Sequence, residues 1–257
     1  LVELLLLVLL VILPEVDVLV DTSPEVELVE LTSPVEVEDD VDSKWPLPRL
    51  ELPDFGGVEK IGGERPADPT DSFDYGVGGF AGLQELRGLN KPVIAAVEGM
   101  CVGGGFELAL SCDLILATEA SSFALPEIRA GTLADAATIK LPKRIPYHVA
   151  MDMLLTGRWM DCEEAHRWGL VTEKLADGPA LYEHAWELAR LLASGPPLVF
   201  AAIKEVAREA EAMKFQDAMN RVTKMQLATV DRLYNSEDGM EGFRAFAEKR
   251  EPVWKGR

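Results

Sequence analysis

KPVIAAVEGMCVGGGFELALSCDLILA, residues 91–117, is the stretch that decides the fold class. The first seven residues, 91–97, are apolar after Lys91, and the last five, 113–117, are apolar after Asp113. Short runs of this kind predict two buried strands. The segment between them, from Gly103 to Cys112, predicts a helix that begins at a glycine turn without a side-chain cap. A strand, a glycine turn, a helix and a second strand are typical of a βαβ unit, so we expect an α/β fold.

The rest of the chain predicts further helices. Asp161 and Glu164 have the spacing of a capping box at the start of one helix. After the break at Pro196-Pro197, apolar residues at helical spacing predict an amphipathic helix, and two more helical stretches follow it. We therefore expect a larger unit over residues 1–195 and a helical region over residues 196–257.

The charge of the chain argues against a nucleic-acid partner. The 257 residues include 44 Asp and Glu against 25 Lys and Arg, a net charge of −19, whereas phosphate binding needs clustered basic residues. Residues 1–74 hold 19 of the acidic and 4 of the basic residues. The remainder of the chain is therefore nearly neutral.

The cysteines and the hydropathy of the chain indicate the cellular compartment of the protein. The three Cys and three His have no metal-ligand spacing, so we expect no metal site and a reducing, cytoplasmic environment. The apolar segment 1–12 is shorter than the roughly 20 residues that span a bilayer and lacks the basic start of a signal peptide. We expect no membrane partner.

Residues 1–48 use an unusually small set of ten residue types, with no Gly or Ala before Gly56 and Ala67. Turns and close packing normally require both residues, so this composition is abnormal for part of a folded domain. Either the segment is a genuine acidic low-complexity sequence, or its residues were assigned by shape alone. The second interpretation is favoured, and the intact mass of the protein tests it.

The three successive glycines 103–105 predict an oxyanion or anion site. At a helix start they let the backbone approach a ligand and point N–H groups at it. Tight packing of the turn is the alternative on glycines alone. The pattern matches neither the dinucleotide fingerprint nor the P-loop.

Two carboxylates lie in apolar sequence, Glu107 in the first turn of the predicted helix and Glu127 in the segment after the second predicted strand. Burial raises the pKa of a carboxyl towards neutral pH, which suits general acid/base chemistry. The alternatives are a helix-dipole interaction for Glu107 and a solvated loop charge for Glu127. His148, His166 and His184 have no partner within reach of a motif, and we expect no catalytic role for them.

These motifs resemble the enoyl-CoA hydratase/isomerase (crotonase) family, over residues 75–257. The segments that carry the resemblance are GGGFELALSCD (103–113), SFALPE (122–127), LTGR (155–158), EA (164–165), GLV (169–171) and FAEKR (246–250). Within the family, residues 78–83 and 247–257 are most similar to the carnitinyl-CoA dehydratases.

The resemblance implies a crotonase-like ββα spiral core in residues 1–195 and a C-terminal helical trimerisation region in residues 196–257. It implies a lyase that adds or removes water across the α,β double bond of an acyl-CoA thioester. Coenzyme A is then part of the substrate, and no separate cofactor is expected. The implied assembly is a homotrimer or a dimer of trimers.

The resemblance also assigns roles to residues. Gly104 and Val58 would donate the two N–H groups of the oxyanion site. Glu107 would activate the water at the β-carbon, and Glu127 would exchange the proton at the α-carbon. The residues that would bind coenzyme A are Lys60, Phe246 and Lys249.

Asp135 leaves the reaction type open, because dienoyl-CoA isomerases of the family resemble this chain in placing a further proton-shuttling carboxylate there. A double-bond isomerase is therefore the alternative activity, with Asp135 as a candidate additional acid/base. A helix N-cap is the structural interpretation of the same residue. A non-catalytic assembly protein on the same fold is the alternative of another class.

Overall fold

The structure is a computed structural model that describes residues 10–12, 27–29, 78–86 and 88–257. Val58, Lys60 and most of residues 1–48 lie outside the described residues.

Eight strands and ten α-helices make up the described part of the chain. The strands are β1 (Leu10–Ile12), β2 (Glu27–Val29), β3 (Ile94–Val97), β4 (Met100–Val102), β5 (Leu114–Thr118), β6 (Ser122–Ala124), β7 (Trp159–Asp161) and β8 (Glu173–Leu175). The helices are α1 (Gly104–Ala109), α2 (Glu127–Ala130), α3 (Asp135–Lys140), α4 (Tyr147–Thr156), α5 (Cys162–Arg167), α6 (Gly178–Ala193), α7 (Pro197–Ala210), α8 (Phe215–Thr223), α9 (Ala228–Tyr234) and α10 (Glu241–Glu248).

From β3 to β6, successive strands alternate between two sheets, then β7 stays in the second sheet and β8 returns to the first; β1 and β2 pair with each other as a separate antiparallel sheet. One sheet has the order β3-β5-β8 and is parallel throughout, and the other has the order β4-β6-β7 with β4 and β6 parallel and β7 antiparallel. The chain thus passes from the first sheet to the second, returns through α1, and repeats the step with β5 and β6. This path is a spiral of ββα units.

Burial on both faces explains why β3 is a continuous apolar run. Ile94 and Ala96 pack with one face of α6, whereas Ala95 and Val97 belong to the core that also holds Phe106. A parallel sheet covered on both sides needs apolar residues at every position, because neither face meets water.

The C-terminal helices form a smaller layer around their own cluster. Ala202 of α7 packs against Leu227 and Val230, and Glu205 accepts hydrogen bonds from the backbone N–H and hydroxyl of Thr229. Lys204 connects α7 to the spiral through Asp113, with Nζ 2.7 Å from Oδ2.

Most predicted elements are present, with different bounds. The predicted strands over 91–97 and 113–117 correspond to β3 and β5, which are parallel. The helix predicted from Gly103 to Cys112 is wrong in its extent, because it ends at Ala109 and the chain turns towards β5.

Two predictions from the C-terminal half need correction. Asp161 does cap α5, since its side chain accepts from Glu164 N, but the Glu164 carboxylate bonds Arg158 and does not close the capping box. Between residues 211 and 250 the structure has three α-helices where two helical stretches were predicted. In the described ranges, no helix has the length and apolarity needed to cross a membrane.

Candidate active site

The glycine turn between β4 and α1 is approached closely by two side chains. Gly103 has a φ of 56° and donates its N–H to the Ala124 carbonyl at 3.0 Å. A Cβ at Gly103 would lie 2.8 Å from Oε1 of Glu127, and a Cβ at Gly104 would lie 2.6 Å from the Phe80 ring. Both distances are shorter than real Cβ contacts, so an added methyl group would displace the Glu127 carboxyl or the Phe80 ring, and the positive φ favours glycine at position 103.

Glu107 is held in place by two other segments of the chain. Its side chain lies in the first turn of α1, and the residue is only 6% exposed. Oε1 accepts the N–H of Ala137 at 2.9 Å, and Oε2 accepts Nε2 of Gln84 at 3.0 Å. The carboxylate is therefore fixed at both oxygens.

The pKa of Glu107 is raised above that of an ordinary glutamate. Burial is the main cause, and the negative charge of Asp135 adds to it. The hydrogen bonds from Ala137 and Gln84 act in the opposite direction, because they stabilise the ionised form. A raised pKa is typical of a carboxyl that exchanges protons near neutral pH.

Glu127 is the first residue of α2, and its carboxyl faces the glycine turn from the other side. Its Oε2 atom is buried and has no hydrogen-bond partner among the described residues. The pKa of Glu127 is raised, mainly by burial and further by the charges of Glu107 and Asp135. The free Oε2 atom leaves one oxygen for a ligand or a proton.

Asp135 is the first residue of α3 and not its N-cap. The cap position is Ala134, so the N-cap interpretation is wrong by one residue, and Oδ1 of Asp135 accepts the N–H of Ala136 at 2.7 Å. The side chain is exposed, and its charge raises the pKa of both Glu107 and Glu127. The structure thus couples three carboxylates electrostatically.

Sequence reasoning missed the two donors that hold Glu107. Gln84 lies 23 residues before Glu107, outside any motif, and Ala137 contributes only a backbone N–H. No sequence pattern marks either residue, since both contacts arise from the packing of separate segments.

Two of the predicted coenzyme A contacts have no described contact with the carboxylates in the single chain, and the third, Lys60, lies outside the described residues. Phe246 and Lys249 lie at the end of α10, both exposed, and no described contact joins them to Glu107 or Glu127. The described residues contain no group of three or more His, Cys, Asp or Glu side chains arranged for a metal ion. A cavity of about 550 Å³ is lined by Gln84, but by neither Glu107 nor Glu127.

A spiral of ββα units with a buried glutamate and a half-buried glutamate at one glycine turn defines a crotonase-fold protein with a candidate acid/base site. Solved structures with this fold agree. An enoyl-CoA hydratase from Mycobacterium tuberculosis H37Rv is 38% identical with a TM-score of 0.63, and the match covers 68% of each chain. A probable enoyl-CoA hydratase/isomerase from Mycobacterium abscessus is 39% identical with a TM-score of 0.64, over 71% of this chain and 70% of that one.

The chain belongs to the enoyl-CoA hydratase/isomerase family, whose profile matches residues 61–257. The carnitinyl-CoA dehydratase of Citrobacter koseri is 47% identical over 185 residues, and that of Proteus mirabilis is 45% identical over the same length. Each match covers 72% of this chain and 70% of the relative. The resemblance to the carnitinyl-CoA dehydratases is thereby confirmed.

Proposed function

We propose that this protein is a hydro-lyase that adds water to, or removes it from, the α,β double bond of an acyl-CoA thioester. The observation that carries the proposal is the pair of carboxyls at one glycine turn, the buried Glu107 and the half-buried Glu127, whose Oε2 atom is itself buried. Addition of water requires one group to take a proton from the water that attacks the β-carbon and another to give a proton to the neighbouring α-carbon. The family and the names of the similar dehydratases support the same chemistry.

The two carboxyls have different surroundings, and these assign a different role in proton transfer to each. Glu107 accepts two N–H donors, which favour its ionised form, so it takes the proton of the water that attacks the β-carbon. Glu127 has a buried oxygen without a donor, which favours its protonated form, so it delivers a proton to the α-carbon. In dehydration the same two transfers run in reverse, and no net proton is gained or lost.

The glycine turn supplies the electrostatic part of the proposal. The N–H of Gly104, at the start of α1, has no carbonyl within the helix to bond and would donate to the thioester oxygen as the enolate forms. Val58 is the proposed second donor. Loss of one such donor typically slows turnover by about 10² to 10³.

The direct test is a panel of enoyl-CoA esters, including crotonobetainyl-CoA, mixed with the purified protein. A hydratase removes the absorbance of the conjugated thioester and gives a product heavier by one water. Absence of any change across the panel would favour a non-catalytic assembly protein.

A double-bond isomerase is the second candidate, because the charge of Asp135 acts on both glutamates. An isomerase would change the conjugation of the substrate without a change in its mass. Asp135→Asn separates the two reactions: a hydro-lyase should keep its activity within a few-fold, whereas an isomerase that shuttles a proton through Asp135 should lose it.

We also propose that residues 1–195 form the spiral core and residues 196–257 a trimerisation region. Two aromatic side chains of α10 are exposed to solvent in the single chain, Phe243 by 73% and Phe246 by 87%. An exposed apolar patch of this kind is typical of an interaction surface. In such an assembly Phe246, Lys249 and Lys60 would contact the coenzyme A part of the substrate. Light scattering after size exclusion should give a multiple of three chains, and Phe243→Glu should give smaller species.

A further inference from the structure

We propose that Gln84 is a positioning residue that holds Glu107 ionised and correctly oriented, and that Lys140 fixes Gln84 for this role. The inference rests on the proposed hydro-lyase activity and deepens it. Neither residue lies in the motifs of the two glutamates, and neither acts on the substrate itself.

The contact between Gln84 and Glu107 is buried and leaves room for catalysis. Both residues are less than a tenth exposed, and Nε2 donates to Oε2 at 3.0 Å. Each carboxylate oxygen has two acceptor positions. Gln84 and the Ala137 N–H occupy one position on each oxygen, so one on each remains for the reacting water.

Lys140 closes a ring of hydrogen bonds that begins and ends at Glu107. Its Nζ donates to the Gln84 carbonyl at 2.8 Å and to Ser111 Oγ at 2.6 Å. Ser111 Oγ donates in turn to the Glu107 carbonyl at 2.7 Å. The side chain of Glu107 is thus tied to its own backbone through Gln84, Lys140 and Ser111.

The charges around this ring explain why Glu107 needs a donor. The negative charge of Asp135 raises the pKa of Glu107 further, beyond the effect of burial, and so opposes its ionisation. Lys140 is the basic group of the ring: burial lowers the pKa of its ammonium, and the charge of Glu107 acts in the opposite direction by favouring the charged form. The other groups near Lys140 are Arg144, Glu85 and the Cys112 thiol.

Gln84→Met tests the proposal, because it keeps the length of the side chain and removes both the donor and the amide. We expect the acid limb of the pH profile of hydration to move up by about one pH unit, the value of one hydrogen bond to a charged group. We expect kcat to fall about tenfold or more on the same basis, with KM nearly unchanged. Lys140→Met should shift the acid limb in the same direction by a smaller amount.

Lys204→Met is the matched control. Lys204 lines the same cavity as Lys140, but its Nζ bonds Asp113 and the Lys91 carbonyl and does not reach the ring. The acid limb of the pH profile of Lys204→Met should match that of the wild type even if the melting temperature of the variant falls.

The outcomes distinguish this inference from the proposed function. If the wild type does not hydrate any enoyl-CoA, the proposed function fails. If the wild type is active and folded Gln84→Met keeps both the wild-type acid limb and kcat, only the role of Gln84 is overturned. Circular dichroism establishes folding, and a partly destabilised Gln84→Met is replaced by Gln84→Leu.

Discussion

Replacement of Gly103 by alanine should slow turnover because it moves the Glu127 carboxyl. The new Cβ would lie 2.8 Å from Glu127 Oε1, whereas an ordinary contact needs about 3.4 Å, so the carboxyl must shift by at least about 0.6 Å. Misplacement on this scale costs about tenfold to a hundredfold in rate. The φ of 56° adds backbone strain of about 1 to 3 kcal/mol, which lowers the melting temperature by about 2 to 12 °C.

The assay is the decay of enoyl-thioester absorbance at saturating substrate, measured beside thermal unfolding. Gly169→Ala is the matched control, because Gly169 also has a positive φ, of 77°, but a Cβ there meets nothing within 4 Å. It should lose stability and keep its turnover. The reasoning is refuted if folded Gly103→Ala turns over as fast as Gly169→Ala.

Three further predictions follow from the ionisable groups. The rate of hydration should fall as pH drops through the raised pKa of Glu107, so its acid limb lies above the ordinary glutamate value of about 4.3 and a pH profile of kcat/KM measures it. Because the fold favours protonated Glu127, this carboxyl stabilises most at low pH and loses that contribution as pH rises through its raised pKa. Glu127→Gln should therefore melt above the wild type at mildly alkaline pH, and the difference should vanish in acid. Arg158→Met breaks the pair with Glu164 and should lower stability by about 1 kcal/mol, measured by urea unfolding, without a change in turnover.

The sequence predicted the part of the fold that depends on local pattern. The runs before and after the glycine turn are apolar at every position because both faces of the parallel sheet are covered, so β3 and β5 could be recognised. Gly103 could be recognised because its positive φ favours glycine, and Gly104 because another side chain approaches it closely.

The rest of the site depends on contacts between distant segments. Gln84 and Ala137 reach Glu107 across 23 and 30 residues, and nothing in the local pattern around them indicates a functional role. The end of α1 was placed too late because Leu110 and Cys112 are buried like helix residues, although they belong to the turn before β5. A pattern of buried positions alone does not distinguish the last turn of a helix from a buried turn that follows it.

The most direct test of the central claim is the single-turnover rate of enoyl-CoA hydration by Glu107→Gln and Glu127→Gln, each isosteric with the wild type. Loss of a general acid or base typically costs about 10² to 10⁴ in rate, so both variants should slow by that factor while thioester affinity stays within a few-fold. Hydration at the wild-type rate in either folded variant would contradict the assignment of that glutamate.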